Sequence, residues 1–254
     1  MNYRFDQKPE TIFSDTTLTS IEAIKSSEYS VLVGRNNCGK SFILKTLKQK
    51  LGMEASYIGP QRYNNFNLLG FYSPNQNKKN EEWNNWLSRW QGSTQNFDDS
   101  PLNLQQAIAE LNDKQRDKLK EIIKLLLDAD LNIFQVVSDN SMSQRYVSCN
   151  GHNISYTSSG LRLITTLVTC LLGENYETLL IDEPELGISP EAQGILADFL
   201  FDRNHRAKYF SHIKTIVFAT HSTIFLDRKN IVNNYMVEKN GDLIDIKPIE
   251  PVCN

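Results

Sequence analysis

The chain contains no apolar run long enough to cross a bilayer, and its first ten residues, MNYRFDQKPE, lack the apolar stretch that directs secretion. Membrane insertion and export are therefore not expected, and a cytoplasmic location is. Histidine is scarce, with four in 254 residues, and the four cysteines, Cys38, Cys149, Cys170 and Cys253, form no C-x-x-C pair. No zinc-ligand spacing results, and the thiols read as reduced. A basic excess is also missing: Lys and Arg number 27 against 30 Asp and Glu, for a net charge of -3 and a pI near 5.9. Such a surface does not attract phosphate backbones as a whole, which disfavours a dedicated DNA-binding domain. The short basic run Arg203, His205, Arg206 and Lys208 reads as a solvated helix end, with a phosphate-binding patch as the alternative. Internal repeats and low-complexity tracts are absent.

What is present is an ordinary globular composition, 40% hydrophobic and 22% charged, in a length that suits one core. The expected organisation is a single domain over 1–254 with an insertion at about 63–140. Residues Tyr3 to about Ile24 mix β-prone residues with polar turns, and Tyr29–Val33 is a short buried strand. Apolar residues at 43, 44 and 47 place a helix from Ser41. Residues 62 to about 100 are weakly patterned, and Leu102–Leu131 carries one apolar stripe, as a single long helix would. Strands follow at Asn132–Val137 and Gln144–Tyr156, the second broken by the turn signal Asn150-Gly151. Helices at Leu161–Leu172 and Pro190–Phe201 then alternate with apolar strands at Thr178–Ile181 and Thr215–Ala219, and one or two strands close the pattern over Asn234–Lys247. Strands alternating with helices predict an α/β fold with a largely parallel sheet.

Two motifs carry chemistry. Gly34-Arg35-Asn36-Asn37-Cys38-Gly39-Lys40-Ser41 matches G-x-x-x-x-G-K-[ST] between a strand and a helix. In such a loop the backbone of Gly34, Asn36, Asn37, Cys38 and Gly39 wraps phosphate oxygens and Lys40 neutralises the outer phosphates, while the Ser41 hydroxyl ligates Mg²⁺. Cys38 supplies the small side chain that a tight turn needs. The apolar strand Leu179-Leu180-Ile181 ends in Asp182-Glu183-Pro184. Asp182 is the expected Mg²⁺ ligand and Glu183 the base that deprotonates the attacking water, with Pro184 turning the chain away.

Asp182-Glu183-Pro184 resembles the Walker B strand and catalytic glutamate of ABC-type ATPases, and Ser158-Ser159-Gly160 before a helix resembles their signature motif. Glu185-Leu186-Gly187-Ile188-Ser189-Pro190 is similar to the pattern of the non-transporter branch, the RecF/SMC-like and OLD-like ATPases. Ala219-Thr220-His221-Ser222 resembles their switch histidine, and Ile58-Gly59-Pro60-Gln61-Arg62 their Q-loop. The resemblance covers roughly 1–62 and 140–230. It implies a three-layer P-loop ATPase head with a helical insertion between Q-loop and signature, using ATP and Mg²⁺. By the same resemblance Gln61 senses metal and water, His221 bonds the γ-phosphate in cis, and Ser158, Ser159 and Gly160 contact ATP held by a second copy. The signature departs from the family at Ser159, where a glycine is usual, and at Leu161, where a polar residue is usual, although Arg162 follows. Slow turnover is therefore expected.

The implied function is an ATP-hydrolysing switch subunit, a homodimer or higher oligomer, that regulates a separate nuclease or toxin in anti-phage defence. Nucleic acid would be met through that complex, and no membrane is involved. The alternatives are a RecF-like DNA repair ATPase and the ATPase subunit of a membrane transporter. OLD-like proteins that cut nucleic acid continue into a carboxylate-rich domain, for which Thr223–Asn254 is too short. Trp83, Trp86 and Trp90, spaced three and four apart, would share one helical face and make a small core, a docking ridge for a partner protein or a surface for stacking nucleic-acid bases.

Overall fold

The computed structural model describes residues 13–60, 104–140, 143–174 and 176–250. Gln61, the Trp83/Trp86/Trp90 ridge, Cys253 and the start of the first segment lie outside them. The elements in chain order are α1 (Asp15–Ser26), β1 (Tyr29–Val33), α2 (Lys40–Leu51), β2 (Ala55–Ile58), α3 (Leu104–Glu110), α4 (Asp113–Leu127), β3 (Leu131–Gln135), β4 (Arg145–Cys149), β5 (His152–Asn153), α5 (Ser159–Leu172), β6 (Thr178–Asp182), α6 (Pro190–Phe201), α7 (Arg203–Tyr209), β7 (Thr215–Thr220), β8 (Asn234–Asn240) and β9 (Leu243–Pro248). Short 3₁₀ turns join several of them.

The main sheet has the order β2-β6-β7-β1-β8-β9, with neighbouring strands parallel except for the antiparallel β8–β9 hairpin. Successive residues of a strand face opposite sides, and the core divides accordingly. Val31, Ile181, Ile216 and Phe218 pack with α4, α5 and α6, whereas Leu32, Leu180, Val217 and Ala219 pack with α1 and α2. Helices on both faces of a mostly parallel sheet make the α/β fold expected from the alternation, with the three layers that the resemblance implies.

Three expectations are corrected. The first segment, read as β-prone, contains helix α1. Its threonines favour strands, but Ser14 caps the helix by accepting from the Thr17 amide, and Ile21 and Ile24 are fully buried three residues apart. The Thr17 hydroxyl also donates to the Ile244 carbonyl at 3.0 Å and accepts from the Ile246 amide at 2.9 Å, so α1 covers the edge strand β9. The single helix expected over Leu102–Leu131 is two. Asn112 and Gln115 form a reciprocal capping box at the break, and Asp128, with φ of 48°, ends α4. The basic run is not a solvated helix end throughout, because Arg206 is buried, with its guanidinium on the Ile213 and Lys214 carbonyls, against Glu28 and over the Tyr29 ring.

β3, β4 and β5 form a separate antiparallel sheet turned at Asn150 and Gly151, both at positive φ, as the Asn-Gly signal predicts. Within the expected insertion the described part therefore holds strand β3 as well as α3 and α4. That strand pairs across residue 140 with β4.

Replacing Thr17 by valine keeps the shape and removes the hydroxyl that bonds the Ile244 carbonyl and the Ile246 amide of β9. Urea denaturation of Thr17→Val should show a loss of about 1–3 kcal/mol with an unchanged slope. An unaltered midpoint would show that α1 does not secure this edge.

Candidate nucleotide site

Register decides where the chemistry gathers. Val33 of β1 lies opposite Thr220 of β7, and Asp182 of β6 opposite Ala219, so the segments after these three strands leave the sheet at one level. Crevices at the carboxyl ends of parallel strands are where such sheets take ligands.

The Gly34–Ser41 segment runs from β1 into α2. A Cβ on Gly34 would stand 2.4 Å from the Val237 carbonyl oxygen, a backbone atom of β8 that cannot give way. Gly39 has φ of 102°, and a Cβ there would meet the Ile244 Cδ1 at 2.5 Å. Asn37, at φ of 64°, is a second left-handed position in the turn. Cys38, within the loop, is buried, and it and Cys149 are free thiols.

Lys40 is 6% exposed and donates to the carbonyl oxygens of Gly34 and Arg35 at 2.8 and 2.9 Å. Among the described residues no carboxylate lies within ion-pairing distance of it. A buried ammonium held only by neutral acceptors, these carbonyls and the Cys38 Sγ at 3.9 Å, is suited to an anion at the loop. Ser41 occupies the first turn of α2.

Asp182 is 1% exposed, and its Oδ2 accepts a hydrogen bond from the Tyr57 hydroxyl at 2.9 Å. Tyr57 comes from β2, the strand that pairs with β6, and 125 residues separate the two side chains in sequence. The amide of Glu183 donates to the Ala219 carbonyl, which carries the β6–β7 pairing one residue further. Glu183 itself has φ of 50°, a strained conformation for a non-glycine residue. Desolvation raises its carboxyl above the usual range, and the charges of Asp182 and Glu185 add to this, while His221 and Lys40 oppose it. A carboxylate so placed accepts a proton more readily than a solvated one.

His221 follows β7. Its amide and its Nδ1 both meet the Oε1 of Glu185, at 2.8 and 2.9 Å. Behind this pair Gln193 donates to the carbonyls of Ile188 and Glu185 and accepts from the Ser222 hydroxyl. Tyr57, Gln193 and the hold of Glu185 on His221 escape a reading of the sequence, because each joins residues far apart along the chain.

Ser158 caps α5, and Ser159 Oγ donates to the Gly187 carbonyl at 3.2 Å. Gly160 also faces that carbonyl. The signature-like turn thus rests on the Glu185–Ser189 segment, and none of its hydrogen bonds reaches the Gly34–Ser41 loop. Arg162 turns back onto the Ser155 carbonyl. The structure therefore gathers Lys40, Asp182, Glu183 and His221 at one sheet end and sets Ser158–Gly160 against the adjacent turn.

A phosphate-type loop between β1 and α2 of a mostly parallel sheet, with helices on both faces, defines a P-loop domain of the α/β class. The family described as "AAA domain, putative AbiEii toxin, Type IV TA system" matches residues 63–227, a span that includes Ser158–Gly160, Asp182–Glu185 and His221. The chain belongs to that family. Among solved structures, the SMC head domain from Thermotoga maritima is similar with a TM-score of 0.47 and 13% identity, over 88% of this chain and 91% of that one. A dimeric bacterial ABC transporter cassette is similar with a TM-score of 0.46 and 13% identity, over 91% and 88%. The SMC head bound to the C-winged helix domain of ScpA gives 0.40 and 12%, over 54% and 43%. The chain spans 43%, 38% and 30% of the length of three SMC head structures. At this identity these are likenesses of fold and say nothing of activity. No curated protein matches the chain. No helix among the described residues is long and apolar enough to cross a membrane.

The raised pKa of Glu183 has a sign for stability. Its protonated form fits the folded state better than its ionised form, so its contribution is fully present below the ordinary carboxylate range and is lost as pH rises through the higher folded value. In metal-free, nucleotide-free protein, Glu183→Gln should raise Tm at pH well above that range and give no gain below it. Equal Tm at high pH would show that the strained turn, not the charge, sets the cost.

Proposed function

We propose that the chain is a Mg²⁺-dependent ATPase switch that binds ATP at Gly34–Ser41, hydrolyses it slowly and pairs head-to-tail with a second copy around the nucleotides. The observation that supports this best is the buried Lys40, without a carboxylate partner among the described residues, at the same sheet end as Asp182, Glu183 and His221. In this reading Lys40 releases the Gly34 and Arg35 carbonyls and meets the outer phosphates, and the amides that open α2 donate to their oxygens.

The donor set also suits the metal. Among the described residues no group of three or more His, Cys, Asp and Glu side chains could hold an ion by itself. One carboxylate and one hydroxyl, Asp182 and Ser41, fit Mg²⁺, which binds few protein ligands and keeps phosphate and water oxygens. Bound there, the ion neutralises charge that develops on the phosphates. The Tyr57 hydroxyl fixes the Asp182 carboxylate. Glu183 takes the proton of the attacking water, and His221 bonds the γ-phosphate. Gln61 keeps the metal- and water-sensing role that the resemblance implies.

By the resemblance, the amides and hydroxyl of Ser158–Gly160, which sits against the Glu185–Ser189 turn, serve a nucleotide held by the opposing copy. The family description names a toxin of type IV toxin–antitoxin systems, which supports a place in a bacterial defence module. Within it the head acts as the ATP-driven regulator of a separate nuclease or toxin, in the cytoplasm, with the Trp83/Trp86/Trp90 ridge as docking surface.

Lys40→Ala should abolish nucleotide binding. Glu183→Gln should keep it and lose turnover by about 10²–10⁴-fold. Size-exclusion chromatography with light scattering should find Glu183→Gln larger with ATP than without. Parental turnover in Glu183→Gln, or one unchanged monomer under both conditions, sinks the reading. For the regulatory role, expression of the chain alone should leave growth unaffected, and arrest dependent on Lys40 would make the chain itself the toxin.

A further inference from the structure

His221 is held from two sides by one atom. Its backbone amide and its ring Nδ1 both lie on Glu185 Oε1, which fixes the main chain and the ring torsions together. Glu185 is 5% exposed, and its Oε2 has no hydrogen-bond partner among the described residues, so His221 is what satisfies this desolvated carboxyl. The His221 side chain, in contrast, is 49% exposed.

A carboxylate accepts hydrogen bonds and does not donate them. The short contact therefore requires a proton on Nδ1. In the neutral ring Nε2 then carries the lone pair, although in water the histidine imidazole favours the opposite tautomer. Gln193 stiffens the arrangement from behind, since it bonds the Glu185 and Ile188 carbonyls on one side and the Ser222 hydroxyl on the other. The segments after β6 and after β7 are thereby clamped into one unit.

We propose that Glu185 is a positioning residue for His221, fixing its Nδ1–H tautomer and making Nε2 the working nitrogen. The neutral ring then presents an acceptor on its exposed side, and it donates from Nε2 only as an imidazolium, for which Glu185 is the counter-charge. Glu183 lies near enough to His221 for their charges to interact, and Asp182 and Lys40 act on Glu183 as well. The assignment of the tautomer stands on geometry alone. The role of Nε2 in turnover rests on the ATPase reading above.

The test separates the two. Long-range ¹H–¹⁵N spectra of ¹⁵N-histidine-labelled full chain, recorded where the rings are neutral, at about pH 9, distinguish the tautomers. Only His152, His205, His212 and His221 contribute, and His221→Asn assigns the signal. The expected result is a protonated Nδ1 and an unprotonated Nε2 in wild type, the reverse in Glu185→Ala, and the wild-type pattern in Glu185→Gln, whose amide oxygen still accepts. A wild-type Nε2–H tautomer, which needs no variant to be seen, overturns the proposal, as does a pattern unmoved by Glu185→Ala. In ATP turnover, Glu185→Ala should lower kcat about 10–100-fold with little change in KM, and the Glu185→Ala/His221→Ala double variant should be no slower than His221→Ala. Additive losses overturn it. Absence of turnover in wild type, with the expected tautomer, removes the ATPase reading and leaves the tautomer assignment standing.

Discussion

Parallel pairing of β1, β7 and β6 brings Val33 opposite Thr220 and Asp182 opposite Ala219, and the placement of every charged group in the site follows from that register. A slip of one residue in a strand turns each side chain to the other face. Leu32, Leu180, Val217 and Ala219 would then leave the layer of α1 and α2, and Val31, Ile181, Ile216 and Phe218 would leave the layer of α4–α6. The two apolar layers thus police the alignment that the polar edge needs, and stability and function are joined through the sheet.

That edge is costly. Asp182, Glu183 and Glu185 lie close enough for their like charges to raise the Glu183 carboxyl, and Glu183 adds a left-handed backbone. Each of these opposes folding, and proteins tolerate such features where the rest of the structure overdetermines them. Here the overdetermination is visible in the fully buried strand β6, in the Glu183 amide bonded to Ala219 and in the Gln193 clamp.

The parts of the site that could be read from sequence are those made by neighbours in the chain. Gly34–Ser41 is legible because loop, lysine and hydroxyl fall within one turn, and Asp182-Glu183 because an apolar strand delivers them. The alternation of strands and helices likewise announces a parallel sheet, and Asn150-Gly151 marks the hairpin of the separate antiparallel sheet. What escaped depends on distance. Tyr57 reaches Asp182 from another strand, and nothing in the spacing of either residue points to the other. Helix α1 was hidden because its threonines are poor local helix signals, while its stability comes from Ile21, Ile24 and the bonds of Thr17 to β9. The break between α3 and α4 did leave a mark, the Asn112/Gln115 capping pattern, which the continuous apolar stripe obscured.

The close approach of Gly34 to Val237 O and of Gly39 to Ile244 means that the phosphate-type loop has its back wall in the β8–β9 hairpin, about two hundred residues further along the chain. The ribosome makes these parts in order, and domains assemble as their segments emerge. The loop is synthesised early but acquires its wall only once residues 237–244 have left the exit tunnel and paired. A nascent or truncated head lacking that hairpin holds the motif without the shape, so competence arrives in one late step of biogenesis, together with the closing of the sheet.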